Sequence, residues 1–179
     1  VAIGDVHGDI KIVYKALEKA NVLQNNNWTT DKRYRDTVIV QLGDQLDGGG
    51  RGKGNTRGDE LRLIEFMDII HQKANVYGGG VYSLIGNHEI MNLLGDFRYA
   101  SKNDIKKQGG LSFRKKLFSP GSDIFNRMSC TRNVVLKVGN FIFCHAGVLP
   151  EHLDKEDNSK FKEKINILMR HYLQGHKDW

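Results

Sequence analysis

The sequence is poor in cysteine: its two cysteines, Cys130 and Cys144, are too few for a disulfide framework. Cys144 lies in an apolar run, so we expect a core thiol there and reduced cysteines of the kind found in the cytoplasm. Long apolar runs are also missing, because the longest, residues 140–150, is interrupted by His145 and is shorter than the roughly 18 residues of a membrane span. We therefore expect a cytoplasmic protein without a membrane anchor.

A signal-peptide pattern is also lacking, since neither a charged nor an apolar leader precedes the strand predicted at Val1. The 179 residues, 39% apolar and 27% charged, suffice for one globular domain with a core. The net charge of +6 is compatible with a nucleic-acid partner or with a surface that attracts phosphorylated substrates. The basic clusters, residues 106–107 and 114–116, are short and carry no interleaved aromatic residues, which argues against nucleic acid.

Predicted strands alternate with helices, which indicates the α/β class. Buried strands are predicted at the start of the chain and at residues 37–42 and 81–85, and a hairpin at 134–144 that turns at Gly139. Four polar motifs each follow directly on such a strand. Because ligands bind at the carboxyl ends of strands in open α/β sheets, we expect the four motifs to converge on one crevice.

Helices are predicted where apolar residues recur at helical spacing, after Asp9 as N-cap and across residues 61–71. A third, amphipathic helix is predicted over residues 159–173. Residues 24–31 are predicted to form a polar loop, and residues 102–118 a polar, weakly helical insertion.

The first two motifs, GDVHGD and GDQLD, place acidic and imidazole groups close together. Asp5 and His7 are two residues apart, so in an extended turn both can face one divalent ion. Asp44 and Asp47 are two nearby carboxylates after a strand, which is costly unless a cation or a protonated histidine offsets their charge. Alone, the first motif is equally compatible with an ordinary turn, and the second is better explained by one.

The other two motifs, GNHE and HAG, add neutral ligand types. Asn87 offers a carbonyl oxygen, His88 can act as an acid or a base, and His145 ends an apolar strand. Separately, these residues fit a helix cap and a core histidine. Together with the two acidic motifs, they form a mixed nitrogen and oxygen set suited to Mn, Fe or Zn.

In this order, the four motifs resemble those of the calcineurin-like metallophosphoesterases, over residues 4–147. The longer segments GNHEIMNLLGDFRY and HAGVLPEHL are similar to the protein serine/threonine phosphatases, and within them to the Shewanella-like phosphatases. The resemblance implies a layered α/β/β/α sandwich that binds two divalent metal ions. It also implies hydrolysis of a phosphate ester by a hydroxide that bridges the two metals.

The resemblance further implies a role for each motif residue. Metal ligands are implied at five positions: Asp5 and His7 for one ion, Asn87 and His145 for the other, and Asp44 as the bridge. His88 is implied as the proton donor to the leaving alcohol, and Asp47 as the acid that orients its ring.

Two features depart from the family pattern. Gly48 stands where the family usually has a phosphate-clamping arginine, so Arg51, Arg57 and Arg98 become candidate phosphate ligands. The family's final metal-binding histidine has no counterpart, since His176 follows a predicted helix. We therefore expect one catalytic domain over residues 1–179 that lacks its C-terminal strands.

The favoured substrate is a phosphoprotein with phosphoserine or phosphothreonine. A nucleotide or dinucleoside polyphosphate hydrolase with the same metal site is an alternative. Gly48 and the missing final histidine motivate an alternative from another class, an inactive phosphate-binding module. The oligomeric state is not determined by the sequence.

Overall fold

The computed structural model describes residues 1–48, 59–150 and 160–175. Helices and strands alternate through most of these ranges. Along the chain the elements are β1 (Ala2–Ile3), α1 (Ile10–Lys19), β2 (Leu23–Gln24), β3 (Asn27–Trp28), β4 (Val38–Gln41), α2 (Glu60–Asn75), β5 (Gly80–Ser83), α3 (Asn87–Leu93), α4 (Lys102–Lys107), α5 (Leu111–Leu117), α6 (Asp123–Thr131), β6 (Val135–Val138), β7 (Phe141–Cys144) and α7 (Phe161–Leu173).

The main sheet consists of three parallel strands in the order β1–β4–β5. The central strand β4 pairs Val40 with Ala2 on one side and with Tyr82 on the other. Ile39 and Val40 are both buried, because both faces of a parallel sheet are covered. All three strands end at the same edge of the sheet, so the loops that follow them are neighbours. The predicted α/β class is confirmed.

Helices α1 and α2 cover the sheet and form a core with it. The predicted N-cap of α1 is confirmed, since Asp9 accepts a hydrogen bond from the Lys11 backbone amide at 3.0 Å. Ile10, Val13 and Leu17 form the buried stripe of α1 at helical spacing. They pack in one cluster with residues of α2 and of the sheet.

Two segments predicted to be polar are more ordered or more buried than the sequence indicated. Within residues 24–31, β2 and β3 form a hairpin whose turn residues Asn25 and Asn26 have φ of 49° and 60°. Asparagine tolerates this left-handed conformation, which the two-residue hairpin turn requires. Residues 102–118 contain the helices α4 and α5, so the predicted helical character is confirmed. The burial of Asp104 and Arg114 in these helices was not predicted.

The predicted hairpin near the end of the chain is confirmed. Strands β6 and β7 pair antiparallel in a second sheet and turn at Gly139, which has φ of 57°. Cys130 and Cys144 are free thiols, but Cys144 is only half-buried, so the expected core thiol is wrong. Among the residues described, the structure has no helix with the length and apolar character needed to cross a membrane.

The loops after β4 and β5 approach each other so closely that glycine is required. Gly43 has φ of +99°, and a Cβ added there would lie 2.6 Å from the Gly86 nitrogen. A Cβ added at Gly86 would lie 2.5 Å from the Asp44 nitrogen and would contact the Asp44 carboxylate. The two glycines therefore set the distance between these loops.

We expect Gly86→Ala to lower the free energy of unfolding by roughly 1–3 kcal/mol, because the added methyl group overlaps the backbone of the neighbouring loop. Urea denaturation of both proteins measures the change. Gly4→Ala is the matched control, since its added Cβ would meet no atom within 4 Å. Equal stability of the two variants would contradict this close approach.

Candidate metal centre

The loops that follow β1 and β4 are held together by backbone hydrogen bonds. The amides of Val6 and His7 both donate to the carbonyl oxygen of Asp44, at 3.1 and 2.9 Å. The Gly8 amide donates to the carbonyl of Gln45 at 2.8 Å. These bonds fix the position of His7 relative to Asp44.

Three imidazole rings surround one oxygen of the buried Asp44 carboxylate. Asp44 Oδ2 lies 3.4 Å from Nε2 of His145, 3.8 Å from Nε2 of His7 and 3.9 Å from Nε2 of His88. The other oxygen, Oδ1, accepts the backbone amide of His88 at 3.1 Å. One carboxylate oxygen is thus anchored, while the other faces three ring nitrogens.

Asp5 and Asn87 complete the group of side chains. The Asp5 carboxylate lies 3.7 Å from Nε2 of His7 and 3.8 Å from Nδ1 of His145. Asn87 Oδ1 lies 3.0 Å from Nε2 of His145. All five metal ligands expected from the sequence therefore lie close together. They follow the three strands of the main sheet and strand β7 of the separate hairpin.

The hydrogen bonds of two histidines define their tautomers. Nδ1 of His7 lies 3.0 Å from the Leu46 carbonyl, and Nδ1 of His145 lies 2.9 Å from the Leu42 carbonyl. Because a carbonyl oxygen only accepts, each Nδ1 carries the proton, and in the neutral ring of His7 Nε2 presents a lone pair. Nε2 of His145 instead lies 3.0 Å from a second oxygen, Oδ1 of Asn87. Nε2 of His7 is buried and has no hydrogen-bond partner.

This arrangement fits divalent cations. A buried lone pair without a partner is costly, and a cation offsets that cost. Histidines that bind metals usually donate their other ring nitrogen to a carbonyl or carboxylate, as His7 and His145 do here. Among the described residues, two sets of ligand atoms lie within 4.8 Å of one another: His7, Asp44 and His88, and Asp5, Asp44 and His145. Asp44 belongs to both sets.

The backbone is strained at three of these positions. His7, Asp44 and Asp47 have φ of 42°, 54° and 63°, which are uncommon values for residues other than glycine. Each such conformation costs about 1–3 kcal/mol and persists only where the surrounding structure enforces it.

Glu89 supplies much of that enforcement, and its role was not predicted. Its buried carboxylate accepts four backbone amides: those of Asp44 at 2.8 Å, Gln45 at 2.8 Å, Leu46 at 3.1 Å and Gly86 at 2.8 Å. Glu89 therefore joins the loop after β4 to the start of α3. The GNHE motif contained this glutamate, but an ordinary helix-starting role explained it equally well.

The residues expected to act as an acid pair are in contact. Nδ1 of His88 donates to Oδ2 of Asp47 at 3.0 Å, and both side chains are almost fully buried. Tyr99 lies edge-on to His88, with ring centroids 5.3 Å apart. Asp47 also accepts a hydrogen bond from Arg114, a residue that the sequence analysis assigned to a surface basic cluster.

A second buried acid, Glu60, contacts the backbone of Asp47. Oε1 of Glu60 accepts the Asp47 amide at 2.7 Å, and Oε2 accepts Arg114 Nη1 at 2.7 Å. Burial raises the pKa of Glu60 to about 6, while the Arg114 charge favours the ionised form. Nothing in the local sequence indicated that this glutamate would be buried.

Of the candidate phosphate ligands, Arg98 lies in the part of the chain that the structure describes, and there it pairs outside this group. Arg98 is exposed and forms an ion pair with Asp96 at 2.7 Å, which raises the pKa of Arg98. Arg51 and Arg57 lie outside the described residues, as does His176.

Known proteins resemble this chain in sequence. The model of the calcineurin-like phosphoesterase family matches residues 1–179. Shewanella-like protein phosphatase 2 of Arabidopsis thaliana is 28% identical over 99% of this chain and 52% of its own length. The uncharacterized protein R398 of Acanthamoeba polyphaga mimivirus is 40% identical over 60% of this chain and 49% of its own length.

Solved structures resemble the chain over nearly its whole length. The cold-active protein tyrosine phosphatase of a psychrophilic Shewanella species has a TM-score of 0.77 and 26% identity, over 98% of this chain and 48–49% of that protein. The chain therefore spans about half the length of these relatives. The match of the family model, together with these relatives, places this chain in the calcineurin-like phosphoesterase family.

Proposed function

We propose that this protein is a metal-dependent phosphatase that removes phosphate from phosphoserine or phosphothreonine in proteins. The observation that carries the proposal is the arrangement around Asp44, in which three imidazole nitrogens lie 3.4–3.9 Å from one carboxylate oxygen. In a two-metal phosphoesterase, such a carboxylate can hold two cations side by side. Membership of the family supports hydrolysis of a phosphate ester, the coarser part of this proposal.

We propose two divalent cations, Mn, Fe or Zn, as the cofactors. Asp5 and His7 would hold one ion and Asn87 and His145 the other, with Asp44 between them. The mixed set of imidazole, carboxylate and amide ligands suits these metals. When bound, the two ions supply an activated water as the nucleophile and a clamp for the phosphoryl oxygens.

We assign His88 as the general acid. Asp47 fixes Nδ1 of His88 by a hydrogen bond of 3.0 Å, which leaves Nε2 to carry the proton for the leaving oxygen. The same geometry is compatible with a carboxylate–histidine–metal arrangement, because Nε2 lies 3.9 Å from Asp44 Oδ2. The metal content of a His88 variant distinguishes the two roles.

Arg98 is the described candidate for the phosphate clamp. Its neighbour Tyr99 flanks the ring of His88, so Arg98 lies one residue along the chain from a contact of the proposed acid. Arginine suits this role because its planar guanidinium binds two phosphate oxygens at once. In the structure Arg98 pairs with Asp96, an exposed contact that solvent weakens.

A phosphoprotein substrate is supported by the names of the relatives, a Shewanella-like protein phosphatase and a protein tyrosine phosphatase. We expect phosphoserine and phosphothreonine peptides to give higher kcat/KM than a phosphotyrosine peptide or a dinucleoside tetraphosphate. Phosphate release from the three peptides and nucleotide release from the dinucleoside tetraphosphate, both measured with the metal-loaded full chain, make this comparison. Preferential hydrolysis of the dinucleoside tetraphosphate would favour a nucleotide hydrolase, and no turnover of any of the four substrates would favour an inactive module.

Asp44→Asn should weaken the binding of both cations, because it removes the negative charge shared between them. We expect a loss greater than the roughly 10–100-fold typical of changes around a metal site. Elemental analysis after reconstitution with Mn²⁺ and dialysis measures the bound metal. Asp31→Asn is the control, because Asp31 is a partly exposed residue that pairs with Arg33 away from the site. A full metal content in Asp44→Asn would refute the shared ligand.

His88→Asn should lower kcat by about 10²–10⁴ on substrates with poor leaving groups, the usual contribution of a general acid. The asparagine amide can still donate to Asp47, but the proton at Nε2 is lost. Rates on phenyl phosphate and on 2,4-dinitrophenyl phosphate test this role, because the second leaving group needs little protonation. Equal losses on both esters, or loss of bound metal, would show that His88 is not the acid.

A further inference from the structure

Arg114 is a fully buried arginine in a segment rich in exposed basic residues. It lies on α5, and its side chain has no exposed surface, while Lys115 and Lys116 beside it are exposed. Its guanidinium packs near the rings of Phe97 and Phe118, with Cζ 5.6 and 5.0 Å from the ring centroids. Burying this charge is costly, so its partners must compensate.

The partners of Arg114 are two buried acids and two amides. Nη2 donates to Asp47 Oδ1 at 3.1 Å, and Nη1 donates to Glu60 Oε2 at 2.7 Å. Nη1 also donates to Gln108 Oε1 at 2.9 Å, and Nε and Nη2 donate to Asn92 Oδ1 at 3.1 and 2.7 Å. The fork of the guanidinium therefore ties two carboxylates into one polar cluster.

Both oxygens of Asp47 are fixed by this cluster. Oδ1 faces Arg114, while Oδ2 accepts His88 Nδ1 at 3.0 Å and Asn92 Nδ2 at 2.7 Å. Asn92 thus links Asp47 and Arg114 a second time. Because the carboxylate cannot rotate without breaking these bonds, it holds the imidazole of His88 in one orientation.

The single positive charge also permits two acids to be buried together. The Glu60 carboxylate accepts the Asp47 backbone amide, so the two acids lie side by side in a region without solvent. Like charges in such a place repel strongly unless a cation lies between them. Arg114 lies against both carboxylates, and an ammonium group could not reach all four partners in a planar fork.

We propose that Arg114 is a positioning residue for the acid pair Asp47–His88, and this rests on the proposed function. Arg114 touches neither substrate nor the metal ligands. It acts through Asp47, by holding that carboxylate in the orientation that aims His88 Nε2 at the leaving oxygen. The segment α4–α5 is thus a support for the catalytic acid rather than a surface insertion.

The test is Arg114→Lys in the metal-loaded full chain, because lysine keeps the charge but loses the fork. We expect kcat on phenyl phosphate to fall roughly tenfold or more, and kcat on 2,4-dinitrophenyl phosphate to change little. KM and bound metal should stay near their original values. His88→Asn on the same two esters provides the reference pattern. Arg127→Lys is the matched control, since Arg127 also bridges two carboxylates, those of Asp68 and Asp123.

The outcomes separate this proposal from the function on which it rests. If His88→Asn depends on the leaving group and Arg114→Lys lowers both rates equally, Arg114 only stabilises the fold and the proposal is overturned. If His88→Asn shows no such dependence, the general acid itself is misassigned. Should Arg114→Lys not fold, Asn92→Ser provides the second test, because it loosens Asp47 without changing any charge. For Asn92→Ser too, a fall in kcat on phenyl phosphate but not on 2,4-dinitrophenyl phosphate supports the proposal.

Discussion

The carboxylate of Glu89 holds together the two loops on which the site depends. It accepts three amides from the loop after β4 and one from the start of α3, so a single buried charge orders both segments. Hydrogen bonds to a charged group are stronger than neutral ones, and four of them satisfy a carboxylate that burial would otherwise destabilise. Asp44 and His88 are consequently presented from rigid backbone, and the loop after β1 joins by donating to the Asp44 carbonyl.

The charges near the site are arranged in two zones. The first contains Asp5, Asn87 and His145, which are exposed or half-buried, so a substrate can reach them. The second contains Asp47, Glu60 and Arg114, which are fully buried, and the positive charge of Arg114 offsets part of the negative charge of the two carboxylates. His88 lies at the boundary, with one ring nitrogen on Asp47 and the other toward Asp44. The buried zone can therefore hold the imidazole of His88 through Asp47 without blocking access to the exposed zone.

The sequence predicted those parts of the structure that depend on local patterns. Asp9 and the spacing of Ile10, Val13 and Leu17 predicted α1, since cap and stripe lie within one helix. The β2–β3 hairpin was missed, because its strands have only two residues each and its turn asparagines resemble any polar loop. Strand-end motifs predicted which residues converge, but the order of the strands was not evident.

Contacts between distant positions could not be predicted in the same way. Glu89 binds an amide 45 positions away, and Arg114 binds a carboxylate 67 positions away. Neither contact leaves a periodic signal, because a buried polar residue in a short helix resembles an exposed one in the sequence. The burial of Arg114 was also hard to predict because Lys115 and Lys116, which follow it in the same basic run, are exposed.

The strained backbone of the loop after β4 explains why side chains from distant parts of the sequence form hydrogen bonds to it. Asp44 and Asp47 have left-handed φ values, which each disfavour the observed loop by about 1–3 kcal/mol. A loop of glycines would relieve that strain, but it would leave no side chains to bind a cation or to hold His88. The strain must instead be offset by bonds to neighbouring segments, and Glu89 and Glu60 provide these through the amides of the same loop. The site therefore requires two sets of residues: the side chains expected to bind the cations, and the buried acids that stabilise the loop carrying Asp44 and Asp47.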